Sequence, residues 1–87
     1  MKSATLPCFW GAYESLDESI KRTAKKAFWL RKQNAFHPSL HFKWINREEN
    51  IWAVRITRGF RAVDGLEGDT VTWLWIGDHD DYERFFS

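Results

Sequence analysis

Apolar positions follow a helical period along the first part of the chain and an alternating one after Pro38. Pro7, with its fixed φ and missing N–H, suits a first helical turn, and Phe9, Trp10 and Tyr13 then recur at helical spacing. This predicts a short helix over 7–15. Ser15 or Asp17 can cap a second helix, with Glu18 in its first turn. That helix is predicted over 18–34, with Ile20, Ala24, Ala27, Phe28 and Leu30 as its apolar stripe. It ends ahead of Pro38, which pushes the preceding residue out of the helical region. Residues 2–5 read as an edge strand, and 42–45, 50–57, 60–66 and 70–76 as further strands separated by the turns 46–49, Arg58-Gly59 and Glu67-Gly68-Asp69. In 50–57, Trp52, Val54 and Ile56 share one face while Ile51, Ala53, Arg55 and Thr57 share the other. Gly77 is expected to break the last strand, and 79–86 to form a short helix or an extended tail. Two helices on one face of a mainly antiparallel sheet of four to five strands make an α+β architecture, read as one small domain over 1–87.

Composition sharpens this in two places. A chain of 87 residues hides only about 60–65% of its unfolded surface, so its core depends on large side chains. Trp10, Phe28, Trp29, Trp52, Trp73 and Trp75 are accordingly placed in the interior. Trp44, alternating with Lys43 on an edge strand, is left open; exposed, it would stack on a base or on a partner's side chain. The net charge of +1 names no partner, but its distribution is uneven: residues 1–45 hold eight basic and three acidic groups, residues 46–87 five and nine. The basic helix bearing Lys21, Lys25 and Arg31 offers charge to phosphates or to an acidic protein, or is simply a solvated flank. Cys8 stands alone, which excludes an internal disulfide and a Cys-based zinc site; it is read as packed rather than nucleophilic. Apolar runs such as 73–76 fall far short of the roughly 18 residues a membrane span needs. Residues 1–7 lack the apolar stretch of a secretory signal, and a reducing cytoplasm is the expected compartment.

Two constellations carry candidate chemistry. Arg55, Arg58 and Arg61 surround one tight turn, and cross-strand pairing would bring Arg55 and Arg61 together. Like charges so placed need an anion or an acid between them, and the guanidinium fork suits phosphate. Ion pairing to Glu48, Glu49 or Asp64 is the competing reading. Past the last strand, Gly77-Asp78-His79-Asp80-Asp81-Tyr82 joins a His, whose ordinary pKa of about 6.5 suits acid–base work, to carboxylates and a phenol. A solvated C-terminal turn is the plainer reading of the same segment. His79 alone supplies nitrogen and the acids are sequential, so no metal or other cofactor is expected. There is no phosphate-cradling Gly-rich loop, no Gly-x-Ser-x-Gly elbow and no His-Glu-x-x-His helix.

The ordered series Phe9-Trp10, the Leu-Asp-Glu-Ser start of the second helix, His37-Pro38-Ser39-Leu40-His41-Phe42-Lys43, Glu49-Asn50-Ile51-Trp52-Ala53-Val54-Arg55, Gly59-Phe60-Arg61-Ala62, 67–73 and 75–84 resembles the RelE/ParE superfamily, the small toxins of bacterial type II toxin–antitoxin modules. The resemblance spans nearly the whole chain. It implies a βααβββ(β) fold whose sheet cups a basic surface, and a cognate antitoxin that covers it, with Lys21, Lys25 and Arg31 as contact residues. In the RelE branch it implies a ribosome-dependent endoribonuclease acting on messenger RNA; in the ParE branch, a poison of DNA gyrase. A chain retained mainly to bind its antitoxin is a third possibility. On the nuclease reading, Arg61 matches the Arg of the family's Gly-Tyr-Arg segment and would stabilise the scissile phosphate, assisted by Arg55. His79 would move protons, and Tyr82 matches a C-terminal Tyr that stacks on or protonates substrate. Lys43, Arg58 and Trp44 would hold RNA. Phe60 replaces the family's Tyr, and Asp78, Asp80 and Asp81 stand where well-known nucleases carry basic residues.

Overall fold

A computed structural model describes residues 2–86. The elements run β1 (Lys2–Thr5), α1 (Pro7–Glu14), α2 (Glu18–Gln33), a 3₁₀ turn (Pro38–Leu40), β2 (Lys43–Asn46), β3 (Ile51–Thr57), β4 (Phe60–Glu67), β5 (Thr70–Asp78) and α3 (His79–Phe86). They form one sheet in the order β1-β5-β4-β3-β2. β1 lies parallel to β5, and every other pairing is antiparallel. The α+β layout expected from periodicity is present, with a third helix added to the two.

Local chemistry explains the boundaries. Leu6 is extended ahead of Pro7, and α1 closes where the Ser15 hydroxyl donates to the Ala12 carbonyl at 2.7 Å. α2 carries Glu18 in its first turn and Arg31 and Lys32 in its last, matching the helix dipole. Asp17 occupies its N-cap position but makes no side-chain capping bond. The β2–β3 turn ends on Asn50 at φ 54°, a left-handed conformation that Asn tolerates. Its amide donates to the Leu66 carbonyl (3.0 Å) and accepts from the Trp52 indole (2.8 Å), tying the turn to β4.

The sheet buries both faces. α1 and α2 cover one, where Phe9, Tyr13, Ala24 and Ala27 meet Leu40, Val54, Ile56, Ala62, Val71, Trp73 and Ile76. Phe28 packs on Trp73 with ring centroids 4.3 Å apart. α3 covers part of the other through Tyr82 and Phe86, against Ala53, Val63, Leu74 and Trp75. An irregularity opposite Val63 and Asp64 inserts Leu74 as an extra residue in β5. Leu74 and Trp75 consequently both reach the α3 side, and Trp75 is parted from Trp73.

Arg31 and Asp64 join the layers. Both side chains are fully buried, with Nε to Oδ2 at 2.9 Å and Nη2 to Oδ1 at 3.0 Å. Nη1 donates to the Ala35 carbonyl, and the rings of Phe36 and Trp52 flank the guanidinium. Burial pushes the Asp64 carboxyl above its ordinary range against the pull of Arg31.

Several expectations are corrected. Arg31 is interior and has no surface to offer a partner. Asp64 is committed to Arg31, so it does not neutralise the arginines of the β3–β4 turn. Trp10 (47% exposed) and Trp29 (63%) lie outside the core, because only one stripe of each helix faces the sheet. Cys8 is exposed, not packed. Gly77 does not end β5, which pairs on through Gly77 and Asp78 with Arg61 and Phe60. A Cβ on Gly77 would stand 2.6 Å from the Trp75 ring, so the bare position accommodates an indole lying along the strand.

Candidate functional site on the α3 face of the sheet

The β3–β4 hairpin sets Arg55 directly opposite Arg61, as the sequence predicts. Ala53 and Val63, two residues away on each strand, belong to the α3-side cluster, which places the arginines on that face. Lys43 is paired with Ala53 and extends the same row on β2. Among the described residues no carboxylate lies within ion-pairing distance of Lys43, Arg55, Arg58 or Arg61.

Arg61 is held by its own turn. Its Nη1 donates to the carbonyls of Thr57 (2.8 Å), Phe60 (3.1 Å) and Arg58 (3.4 Å). Among the described residues no hydrogen bond occupies its Nε or Nη2, the edge that grips an anion through two parallel bonds. Arg58, exposed in the turn, contributes a carbonyl to this tether rather than a docked side chain.

α3 delivers the other two groups. The His79 backbone N–H donates to the Gly59 carbonyl at 2.8 Å, fastening the start of the helix to the same turn. The His79 ring lies 3.3 Å (Nε2) from Glu83 Oε1 one helical turn on, an i,i+4 pairing legible in the sequence but not drawn from it. Tyr82 is buried, with its ring 6.3 Å from that of His79. Burial raises its phenol above the ordinary range; Glu83 adds to the rise and the nearby Arg61 opposes it. Tyr82 is therefore a protonated donor at neutral pH. Asp78 accepts from the Asp81 N–H at 2.8 Å, and Asp81 pairs with Arg84 at 3.5 Å, so these acids serve α3 itself.

The remaining predicted residues lie elsewhere. Trp44 stacks on Trp52 at 3.8 Å on the α1–α2 side, with the Arg47 guanidinium 5.3 Å above its ring. It does not join the arginine row. Lys21 is held by Glu14 (3.3 Å) and Glu18 (3.4 Å); partial burial lowers its pKa, and the two acids outweigh this and raise it. Lys25 is exposed on α2 beside Trp29. The structure thus gathers Arg55, Arg61, His79, Tyr82 and Lys43, and leaves Trp44, Lys21, Lys25 and Arg31 apart.

A family model described as a ParE-like toxin domain matches residues 18–84. No curated protein sequence gives a significant match. Among solved structures the chain is similar to that of a RelB–RelE antitoxin–toxin complex from Methanococcus jannaschii, with a TM-score of 0.78, 15% identity, and 97% of this chain and 99% of that one covered. It is also similar to a YoeB/ParE toxin from Agrobacterium tumefaciens (TM-score 0.76, 19% identity, 91% and 99% covered). A third likeness is to YafQ from Escherichia coli (TM-score 0.74, 8% identity, 92% and 94% covered). At such identities these structures speak to the fold.

Proposed function

The chain belongs to the ParE-like toxin domain family and is a toxin of the RelE/ParE superfamily, and from that premise we propose that it is a ribosome-dependent endoribonuclease that cuts messenger RNA in the cytoplasm and is silenced by a cognate antitoxin. The observation that carries this reading is Arg61. Its guanidinium is fixed through Nη1 to three carbonyls, keeps its Nε–Nη2 edge unspent, and faces Arg55 across the strands. The RelB–RelE antitoxin–toxin complex among the similar structures supports an antitoxin partner.

The chemistry follows from the groups. A ribose 2′-oxygen attacks the adjacent phosphorus, forming a cyclic phosphate as the bond to the 5′-oxygen breaks. Arg61 and Arg55 stabilise the charge that accumulates on the phosphorane oxygens. His79, held by Glu83, takes the proton off the 2′-hydroxyl, and a second group must give one to the leaving 5′-oxygen. Tyr82, kept protonated, is that donor and gives its proton to the leaving 5′-oxygen. No step needs a cofactor.

One observation favours a second reading. His79 is preceded in the chain by Asp78, followed by Asp80 and Asp81, and paired with Glu83, acids that repel a phosphate backbone, and such a chain would cut weakly and chiefly bind its antitoxin. Brief induction in a bacterial host without antitoxin, with mapping of new 5′ ends, separates the readings. Cuts at codon-spaced positions that vanish when translation is blocked support the nuclease. Intact messages with normal growth support the antitoxin-binding homologue, and intact messages with DNA damage signalling point to gyrase.

A further inference from the structure

We propose that the outer face of α2 anchors an acidic, amphipathic segment of the antitoxin. The inference rests on the antitoxin reading above and adds to it the surface and the chemistry of the segment that covers it.

Arg22, Lys25, Lys26, Trp29 and Lys32 recur at the helical spacing i, i+3, i+4, i+7 and i+10, and all five are exposed. They form one solvent-facing stripe, about 15 Å long at 1.5 Å of rise per residue. α2 holds no acid beyond Glu18, and Glu18 is taken by Lys21. Among the described residues no carboxylate pairs with Arg22, Lys25, Lys26 or Lys32. Like charges three and four residues apart repel, so the bare stripe is destabilising until acids meet it.

The cations surround carbon. Trp29 is 63% exposed, and an open hollow of about 430 Å³ beside it is walled by Trp29, Leu30, Lys25 and Lys26. The wall is almost wholly apolar, so the lysines contribute their stems and keep their ammonium groups in water. Lys26 and Leu30 also wall a second hollow of about 190 Å³ where α2 meets the 3₁₀ turn, together with Thr23, Ala27, Ser39 and Leu40. The two hollows are neighbours across Lys26 and Leu30, and they seat two successive apolar side chains of one bound segment.

This combination selects the occupant. An aromatic ring beside a carbon-lined seat, rimmed by charge, is the arrangement that concentrates binding energy in protein interfaces. Apolar anchors fill the hollows, and Asp or Glu beside them meets the unpaired cations, speeding encounter and fixing register. Nucleic acid would meet the charges but not the hollows, because a bound base needs polar partners at its edges and these walls offer almost none. A second copy of this chain carries an acidic helix in α3, but Tyr82 and Phe86 are spent on its own sheet. Only Phe85 is left outward there, one anchor for two hollows.

α2 packs on one side of the sheet, whereas Arg61 and α3 lie on the other. The contact therefore holds the antitoxin without touching the groups that cut RNA, and affinity and activity are separable by substitution.

The test uses the full chain and, as probe, the purified product of the gene adjacent to its own. Wild type, Trp29→Ala and Lys26→Glu are compared by surface plasmon resonance at low and high salt. Cleavage of a message on programmed ribosomes is measured in parallel without the probe. Both substitutions are on the exposed helix face, and Ala and Glu favour helix, so the variants should fold; urea midpoints check this. The expected result is probe binding weakened on the order of 30-fold in Trp29→Ala, the loss of one interface hot spot. Lys26→Glu should slow association on the order of 10-fold at low salt and much less at high salt. Both variants should match wild type in cleavage and urea midpoint. Probe affinity unchanged in both would overturn the proposal. Slower cleavage with unchanged probe affinity would overturn it and assign the face to the ribosome. A wild-type dimer in sedimentation, dissolved by Trp29→Ala, would overturn it in favour of a second copy. A probe that does not bind wild type would overturn it together with the antitoxin reading. Wild type that binds as expected but leaves messages intact would support the anchor and contradict only the nuclease.

Discussion

Removing either half of the Arg31–Asp64 pair should cost the fold a large share of its stability. The two side chains are wholly buried and joined by bonds of 2.9 and 3.0 Å, with Ala35, Phe36 and Trp52 completing the surround of the guanidinium. Asp64→Asn or Arg31→Met strands the remaining group without its partner, a loss of about 3–5 kcal/mol when the charge has no route to water. At about 0.05–0.15 kcal/mol per residue, a chain of this length is stable by about 4–13 kcal/mol, so each single variant sits near or within reach of unfolding at 25 °C. The double variant Arg31→Met/Asp64→Leu leaves neither charge to desolvate and is expected to recover most of the loss. Urea unfolding followed by far-ultraviolet circular dichroism gives the three free energies and the coupling between the sites. Single variants that each lose less than about 1 kcal/mol with an unchanged m value would refute the argument, since the pair would then be reached by water in solution.

Three further outcomes follow from particular contacts. The raised Tyr82 phenol keeps its proton in the folded chain at pH values where the unfolded chain releases it, so this stabilisation is present below about pH 10 and lost above it. Urea unfolding at about pH 8 and about pH 11 should show a steeper alkaline loss for wild type than for Tyr82→Phe, and equal slopes would count against burial as the cause. Gly77→Ala sets a methyl 2.6 Å from the Trp75 ring and should cost about 1–3 kcal/mol with a shift of the Trp75 indole resonance; an unchanged urea midpoint would contradict the packing. Asn50→Ala forfeits two hydrogen bonds and leaves a β-carbon residue at φ 54°. A loss of about 2 kcal/mol is expected, and a variant within 0.5 kcal/mol of wild type, roughly, would show that the turn is not tied through this side chain.

Sequence periodicity located the elements well because their ends are set by local chemistry: Pro7 opens α1, Pro38 follows α2, and alternation marks β3. It misled where one residue changes a face. Trp73 and Trp75 share a side by simple alternation, yet the extra residue Leu74 parts them. Trp10 and Trp29 fall where the helices are expected to meet the sheet, yet each helix turns that aromatic outward. The Arg55–Arg61 pairing was legible because the Arg58-Gly59 turn fixes the register. Its ion-pairing alternative was not resolvable from sequence, since Asp64 is claimed by Arg31 from 33 residues away. The sequence does not distinguish a helix from an extended tail over 79–86, because the helix docks through Tyr82 and Phe86 meeting Trp75, a contact between elements. The acids around His79 read as a departure from a nuclease; in three dimensions Asp78 and Asp81 organise α3 and rim a cleft.

The central claim, that Arg61 carries phosphate chemistry on RNA, is tested most directly by the single-turnover cleavage rate of a defined message on programmed ribosomes. Wild type and Arg61→Ala are compared, with circular dichroism confirming that both are folded. The account predicts cleavage leaving a cyclic phosphate and a free 5′-hydroxyl, slowed on the order of 100-fold or more in Arg61→Ala. Cleavage at an equal rate in the two proteins, or an intact message with wild type, would contradict it.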